Sequence, residues 1–413
     1  MKYDLIIIGG GASGLCAAIN AKKKKNKILI IEHKSKLGKK ILSTGNGKCN
    51  LSNVYCKNDM LSKNPEGIFP YFTSGKIDFI TNALEKFDID STIDFFNELG
   101  VLHENMTGYI YPRTQQASTI CDCLINRCKM LDVDIITDYE LVSIEKKGSL
   151  FNIDNTYYSK NLLIATGGMA APRTGSDGSG YKIAKKFGHS IIDPRPSLCG
   201  IKCKDKFLNE LSGVRNDAML SLYDSKGRLI ISSKGNLQYT SYGLSGIPAF
   251  QISSELGRVL KYDKKPIIKI DNLPELNTKQ IKNFIDKKSN VIWEKSSQDK
   301  LPYILNKKIC NVLEKEIHKK YNNDKDIRLS DKAMPFIKGL TFHPYDLNSF
   351  DESQVTAGGV STSEIYSDSM KSKLVDGLYF SGEIIDVNGI CGGYNLQWAW
   401  STGYIAALDI SGE

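Results

Sequence analysis

The amino-acid sequence predicts an α/β protein with a Rossmann-type core. Three observations carry that prediction. The chain opens with a short apolar strand, a glycine-rich turn, a helix and a second strand closed by an acid. Two later segments, Asn161 to Gly168 and Gly377 to Glu383, again run from a buried strand into a small-residue turn. The 413 residues are 41% hydrophobic and 24% charged, an ordinary globular balance. It allows two or three domains, or one large core with an insertion.

The opening strand is Tyr3 to Ile8, mostly branched and apolar, as a buried parallel strand requires. Gly9, Gly11 and Gly14 then fit G-x-G-x-x-G. A helix is expected from Leu15 to Lys24, and a strand from Lys27 to Ile31 ending at Glu32. Gly9 permits the tight turn, Gly11 lets a pyrophosphate approach the backbone, and Gly14 lets helix and strand pack closely. With Ala12 and Ser13 these residues offer helix N-terminal N–H groups to phosphate. The Glu32 carboxylate can accept from ribose hydroxyls and disfavours a 2′-phosphate. Together the parts point to a bound dinucleotide.

The next segment separates FAD from NAD. Gly38 to Asn53 is rich in glycine, small polar residues and amides, where an NAD-only domain would run into another βα unit. A long polar loop suits the extended FAD, with Lys40, Thr44, Asn46, Gly47, Cys49 and Asn50 as candidate contacts. Thr166 and Gly167 follow the middle strand, and Gly382 and Glu383 follow the late one. Asp386 and Glu383 are expected to bind ribityl or ribose hydroxyls, with catalysis as the alternative. A helix opening at Gly392-Gly393 brings Gly393, Tyr394, Asn395 and Leu396. Its N-terminus could stabilise negative charge at the flavin pyrimidine. Val142 completes the set. No covalent-attachment signal is present, so the flavin is expected to be noncovalent.

These segments resemble the BaiN-like, YhiN-like or aminoacetone-oxidase-like NAD(P)/FAD-dependent oxidoreductases. The resemblance rests on Ile6 to Gly14, Gly38 to Asn50 and Ala165 to Gly168. It continues through Pro172 to Gly178, Gly243 to Pro248, Val355 to Val360, Ser372 to Leu374 and Gly377 to Gly403, so it spans nearly the whole chain. Lys48 stands where arginine is expected, and Asp376 where proline is common. The resemblance implies a flavoprotein of the two-dinucleotide-binding-domain class. Its FAD domain, 1–190 with 335–413, is interrupted by an inserted β-plus-helical domain, 191–334. The β part covers about 191–272 and the helical part about 273–334.

Within the insertion, Ile201, Met219 to Tyr223, Leu229 to Ser232 and Ile267 to Ile270 read as strands, with a turn at Ser225 to Arg228. Thr278 to Lys288, Lys300 to Cys310 (from Pro302) and Val312 to Tyr321 read as helices from their three-to-four apolar spacing. From Arg258 to Lys332 there are 19 basic and 11 acidic residues, nearly all of the chain's net charge of +9. This is either a solvated lysine-rich surface or a face for a polyanion such as RNA. The run Lys22 to Lys25 reads as the solvated end of the first helix.

Ten cysteines lack metal spacing and five histidines are dispersed, so no metal site is expected and the thiols are expected free, as in the cytoplasm. The apolar run Leu5 to Ile8 is too short to span a bilayer and precedes glycines rather than a cleavage site. Neither membrane association nor a signal peptide is expected.

The reading is an FAD-dependent oxidoreductase that reduces an activated C=C bond by hydride from flavin. NADH or NADPH is the expected transient donor, since no second G-x-G-x-x-G follows a strand. By the resemblance, the substrate is a small enone, or an amine oxidised with peroxide release. An alternative is a ribosomal RNA dihydrouridine synthase that binds rRNA through the basic insertion. A weaker one is a flavin-bearing electron-transfer protein. Candidate proton donors are Cys49 and Cys391 in the flavin-flanking loops, His343 and Tyr242. Packing roles are the alternative for the cysteines and for Tyr242 with its neighbours Tyr239 and Ser245. The oligomeric state is left open.

Overall fold

A computed structural model describes residues 1–22, 26–57, 71–72, 75–292, 300–322, 324 and 326–412. The chain divides into two units, Met1–Arg195 with Gln354–Glu413, and Pro196–Ser353.

In the first unit the strand Lys2–Ile8 lies between Ile28–Ile31 and Tyr157–Ile164, parallel to both. Asp134–Ile136 and Leu378–Phe380 extend the parallel sheet on either side. The hairpin Ile144–Lys147 and Leu150–Ile153 joins the start of Tyr157–Ile164 antiparallel. Leu5 to Ile8 face Ile28 to Ile31 in register and all are buried, as a sheet covered on both faces demands. The middle strand begins at Tyr157, four residues before the predicted start.

The helix Ala12–Ala21 follows at once. Residues 23 and 24 of the predicted helix, and residues 23–25 of the lysine run, lie outside the described residues. The last helix, Tyr394–Ser411, begins where expected and continues well past Trp400. It is buried nearly all round, which explains its weak amphipathic pattern. It crosses the first helix at backbone distance: a Cβ on Gly403 would sit 2.5 Å from the Ser13 carbonyl oxygen. The predicted polar loop contains a short helix, Lys39–Ser43, and a 3-10 turn, Thr44–Gly47. Three helices the periodicity did not predict, Ile77–Lys86, Ile89–Glu98 and Ala117–Met130, fill out the unit.

The second unit holds a seven-stranded antiparallel sheet. Its order is Leu340–Phe342, Ile267–Asp271, Arg215–Tyr223, Leu229–Tyr239, Gly243–Gly246, Ile201–Cys203, Pro344–Leu347. The two edge strands are joined by one residue, His343, so the edges meet there and the sheet closes as a barrel. Asp205 fastens the seam by accepting from the His343 backbone N–H and ring Nδ1, each at 2.8 Å. This corrects the predicted boundaries. Residues 335–353 belong to the second unit because their two strands complete its sheet, and 191–195 belong to the first.

The predicted strands of the insertion are present but longer, and a helix interrupts them. Ile247–Val259 carries proline in its first turn and buries Ala249, Ile252, Leu256 and Val259 in the barrel core. The two helices expected between Lys300 and Tyr321 are one, Lys307–Tyr321. Asn306 caps it by accepting from Lys308 N–H at 2.9 Å, which leaves Pro302 in the preceding loop.

Gly403→Ala is expected to lower stability by about 1–3 kcal/mol through overpacking. Chemical denaturation monitored by the buried tryptophans checks this. An unchanged midpoint would mean the two helices separate freely.

Candidate cofactor site

The first glycines divide by what a side chain would meet. A Cβ on Gly9, whose φ is +105°, would lie 2.5 Å from the Ala165 carbonyl oxygen. On Gly14 it would lie 2.1 Å from the Gly9 carbonyl oxygen. Both positions serve the fold itself. On Gly11 a Cβ would meet nothing within 4 Å, so no fold contact demands glycine there. The helix it begins has no side-chain cap and no acid in its first turn. A bare helix N-terminus beside an open glycine is the cradle an anionic pyrophosphate needs. The Ser13 hydroxyl donates inward to the Ser381 carbonyl at 3.3 Å, so Ser13, like Ala12, has only its backbone to offer.

Glu32 is 9% exposed. Its carboxylate accepts from Gly10 N–H and Lys34 N–H, each at 2.8 Å. The acid is thus locked to the glycine turn and keeps acceptor capacity for a ribose diol. Val142 is highly exposed, on the segment that Tyr139 N–H ties to the Glu32 carbonyl at 3.1 Å.

The loop after Gly38 is held in left-handed backbone at Gly45, Asn46, Gly47 and Cys49, a costly conformation for the asparagine and cysteine. Thr44 Oγ1 donates to the Ile41 carbonyl at 2.7 Å. Asn50, with its amide turned to suit its neighbours, donates to the Ile110 and Ser52 carbonyls and accepts from Gly393 N–H at 3.2 Å. Asn53 donates to the Gly392 carbonyl at 2.9 Å. The first polar loop is therefore stitched to the start of the last helix, as the predicted cofactor cradle requires. Asn395 holds the preceding turn through both the N–H and the carbonyl of Gly389. Tyr394 is buried and stacks on Tyr71 at 5.0 Å, and Leu396 is half-buried on the same helix.

Glu383 forms an ion pair with Lys40, and its other oxygen accepts from Thr356 N–H at 2.7 Å. Around it lie hydroxyls that sequence reasoning missed, apart from Thr166. Thr166 Oγ1, Ser176 Oγ, Tyr181 OH and Ser381 Oγ are buried without hydrogen-bond partners among the described residues. A Cβ on Gly167 would lie 2.5 Å from Ser176 Oγ, and one on Gly180 would lie 1.9 Å from Thr166 Oγ1. Burial, then the charges of Glu383 and Asp386, push the Tyr181 phenol above its ordinary range. Unpaired buried hydroxyls are costly unless something satisfies them. A polyhydroxyl ligand does so, and the donor set fits FAD. Only the glycine–serine spacing of Gly175 to Gly180 hinted at this wall.

The candidate proton donors are dispersed. Burial pushes the Cys49 and Cys391 thiols up to about 12, so both keep their protons at neutral pH. His343 is exposed on the barrel seam beside Asp205. Tyr242 is also in the second unit and partly exposed. Its neighbour Tyr239 is core, donating to Asn272 Oδ1 at 2.8 Å. All ten cysteines are free. Among the described residues no cluster of metal-ligating side chains forms, and no helix is long and apolar enough to cross a membrane.

A parallel Rossmann sheet, an uncapped helix over an open glycine and a hydroxyl-lined cradle define the class: the protein is an FAD-dependent oxidoreductase. The chain belongs to the HI0933-like protein Rossmann domain family, which it matches over residues 3–409. It is 36% identical over 409 residues to the 3-dehydro-bile acid Δ(4,6)-reductase of Clostridium scindens, covering 97% of each chain. It is 30% identical over 416 residues to the ribosomal RNA dihydrouridine synthase of Escherichia coli, covering 99% of this chain and 98% of that one. The 3-ketosteroid Δ1-dehydrogenase of Sterolibacterium denitrificans shares the fold. The TM-score is 0.53 at 12% identity, over 100% of this chain and 99% of that one.

Gly11→Ala should leave the stability of the apoprotein within about 0.5 kcal/mol and weaken FAD binding by on the order of tenfold or more. Gly14→Ala should destabilise the apoprotein itself. Thermal melts of apoprotein and flavin titration separate the two, and equal behaviour would show that Gly11 is a fold residue. Cys49 and Cys391 should resist iodoacetamide at pH 8, where about one part in 10,000 is thiolate, and react once the chain is denatured. Peptide mass spectrometry reads both states, and rapid native alkylation would contradict the burial argument.

Proposed function

We propose that the protein reduces an activated carbon–carbon double bond of a small molecule, with NADH or NADPH as donor, in the cytoplasm. The observation that carries the reading is the 36% identity, across nearly all of both chains, to a protein named as a Δ(4,6)-reductase. Bound FAD supplies hydride transfer. In this reading the backbone at Gly11, Ala12 and Ser13 binds the pyrophosphate, and Glu32 takes the adenosine ribose. Lys40, Thr166, Gly167, Gly382, Glu383 and Asp386, with the hydroxyls of Ser176, Tyr181 and Ser381, hold the polyhydroxyl stretch. The N-terminus of Tyr394–Ser411, without an acid in its first turn, favours negative charge nearby. Thr44, Asn46, Gly47 and Asn50 shape the loop opposite it. Protonated Cys49 or Cys391 can deliver the proton that completes reduction, and His343 and Tyr242 are the donors available on the second unit.

A second reading, dihydrouridine formation in ribosomal RNA, is favoured by the relative in Escherichia coli and by the basic excess between Arg258 and Lys332. Part of that charge is compensated, since Lys282 pairs with Asp331 and Lys315 with Glu210.

Anaerobic holoenzyme with NADH or NADPH should bleach the absorbance of a conjugated enone, and its reduced flavin should reoxidise slowly in air. No enone reduction, together with loss of dihydrouridine from the rRNA of cells lacking the protein, would establish the second reading instead. Fast reoxidation with stoichiometric peroxide in the presence of an amine would make the protein an oxidase.

A further inference from the structure

In the first unit the imidazole of His33, the residue after Glu32, lies between two carboxylates. Its Nδ1 stands 3.4 Å from Glu32 Oε1, and its Nε2 stands 3.7 Å from Asp177 Oδ2. Asp177 belongs to the loop Pro172 to Gly178, which opens with the 3-10 turn Pro172–Thr174. Its other oxygen accepts from Ser179 N–H at 3.0 Å, where the helix Ser179–Lys186 begins. One ring therefore faces both the acid assigned to the adenosine ribose and the loop that leads into the hydroxyl wall.

The loop also packs on Glu32 through its backbone. Gly175 has a φ of +117°, and a Cβ there would stand 3.3 Å from His33 Cε1, 3.5 Å from Lys34 Cγ and 3.7 Å from Glu32 Oε1. Gly175 N–H donates to the Pro172 carbonyl at 3.0 Å, and Gly178 N–H donates to the Gly168 carbonyl at 2.9 Å. Ser176, the next residue, supplies one of the buried hydroxyls without a partner among the described residues. Three consecutive positions thus meet the adenosine acid, the hydroxyl wall and His33. Partial burial opposes the charge of Asp177, but the Ser179 hydroxyl and N–H, and then His33, hold its carboxyl below the usual range. An ion-paired carboxylate behaves in this way.

We propose that His33 is a positioning residue for FAD: it ties Glu32 to Asp177, fixes the carboxylate that takes the adenosine diol, and latches the loop Pro172 to Gly178 beside it. The inference rests on the assignment of Glu32 to the ribose and adds His33 and Asp177 to the adenosine side. A ring nitrogen against each carboxylate restrains Glu32 before the ligand arrives, and such preorganisation is read as affinity. Because His33 acts through Glu32, its effect is confined to ligands that carry the diol.

The test uses the full-length chain freed of flavin, titrated calorimetrically with ADP and with 2′,3′-dideoxy-ADP, which lacks the diol. Wild type should bind ADP about tenfold more tightly than the dideoxy compound. His33→Ala and Asp177→Asn should each weaken ADP binding roughly threefold, the scale of a partly exposed ion pair, and leave dideoxy-ADP binding at its wild-type value. Asparagine at 177 can still accept from Ser179 N–H, so the helix start is kept. The double variant should bind ADP no more weakly than His33→Ala alone. Wild-type ADP affinity in both single variants overturns the latch. Equal losses for the two nucleotides overturn it too, since they mark a general structural role, as do losses that multiply in the double variant. A wild type that binds both nucleotides equally, yet takes up FAD, overturns the ribose role of Glu32 and the latch while the FAD assignment stands. A wild type that takes up neither FAD nor ADP overturns that assignment as well.

Discussion

Ser13 is clamped by backbone and small side chains from the far end of the chain. A Cβ on Gly403 would press 2.5 Å from its carbonyl oxygen, and one on Gly382 would lie 2.7 Å from its hydroxyl. This clamp sets where the first helix begins, and hence where its unpaired N–H groups and Gly11 stand. The last helix extends the same control outward. Trp398 Nε1 donates to the Gly382 carbonyl at 3.2 Å, and Trp400 Nε1 donates to the Leu51 carbonyl at 3.1 Å. Gln397 accepts from Ser52 and Thr92 and donates to the Phe87 carbonyl. One buried helix thus positions the glycine turn, the strained polar loop and the strand end that carries Glu383.

The polar wall follows from that framework. Lys40 and Glu383 are 343 residues apart and form an ion pair. Thr356 N–H orients the carboxylate, while the Thr356 hydroxyl accepts from Met169 and Ala170 N–H at 2.8 and 2.9 Å and so shapes the turn after Gly167. Hydroxyls held this rigidly without mutual bonds are preorganised for a ligand, and their cost is recovered when the ligand binds.

The parts legible in the sequence were those with a local physical reason. Gly9, Gly11, Gly14 and Glu32 announce themselves by spacing, because turn, approach, packing and diol each demand one residue type within a single βα unit. Ser176 and Tyr181 stayed hidden because only the folded turn brings them to Glu383. Ile247–Val259 was hidden by its setting, a helix enclosed by strands whose first turn holds proline and glycine precedes it. The boundary at 353 was missed because Leu340–Phe342 and Pro344–Leu347 are too short to show alternation, and their reason for existing, barrel closure, is nonlocal.

The clamp between Ser13 and Gly403 also orders events on the ribosome. Synthesis at about 5–20 residues per second separates those two residues by tens of seconds. The inserted barrel can close once His343 and the strand after it have emerged, whereas the packing of the glycine turn against Gly403 must wait for the helix Tyr394–Ser411. The strand Lys2–Ile8 and the glycine turn after it therefore complete their native packing only after the whole inserted barrel has been made.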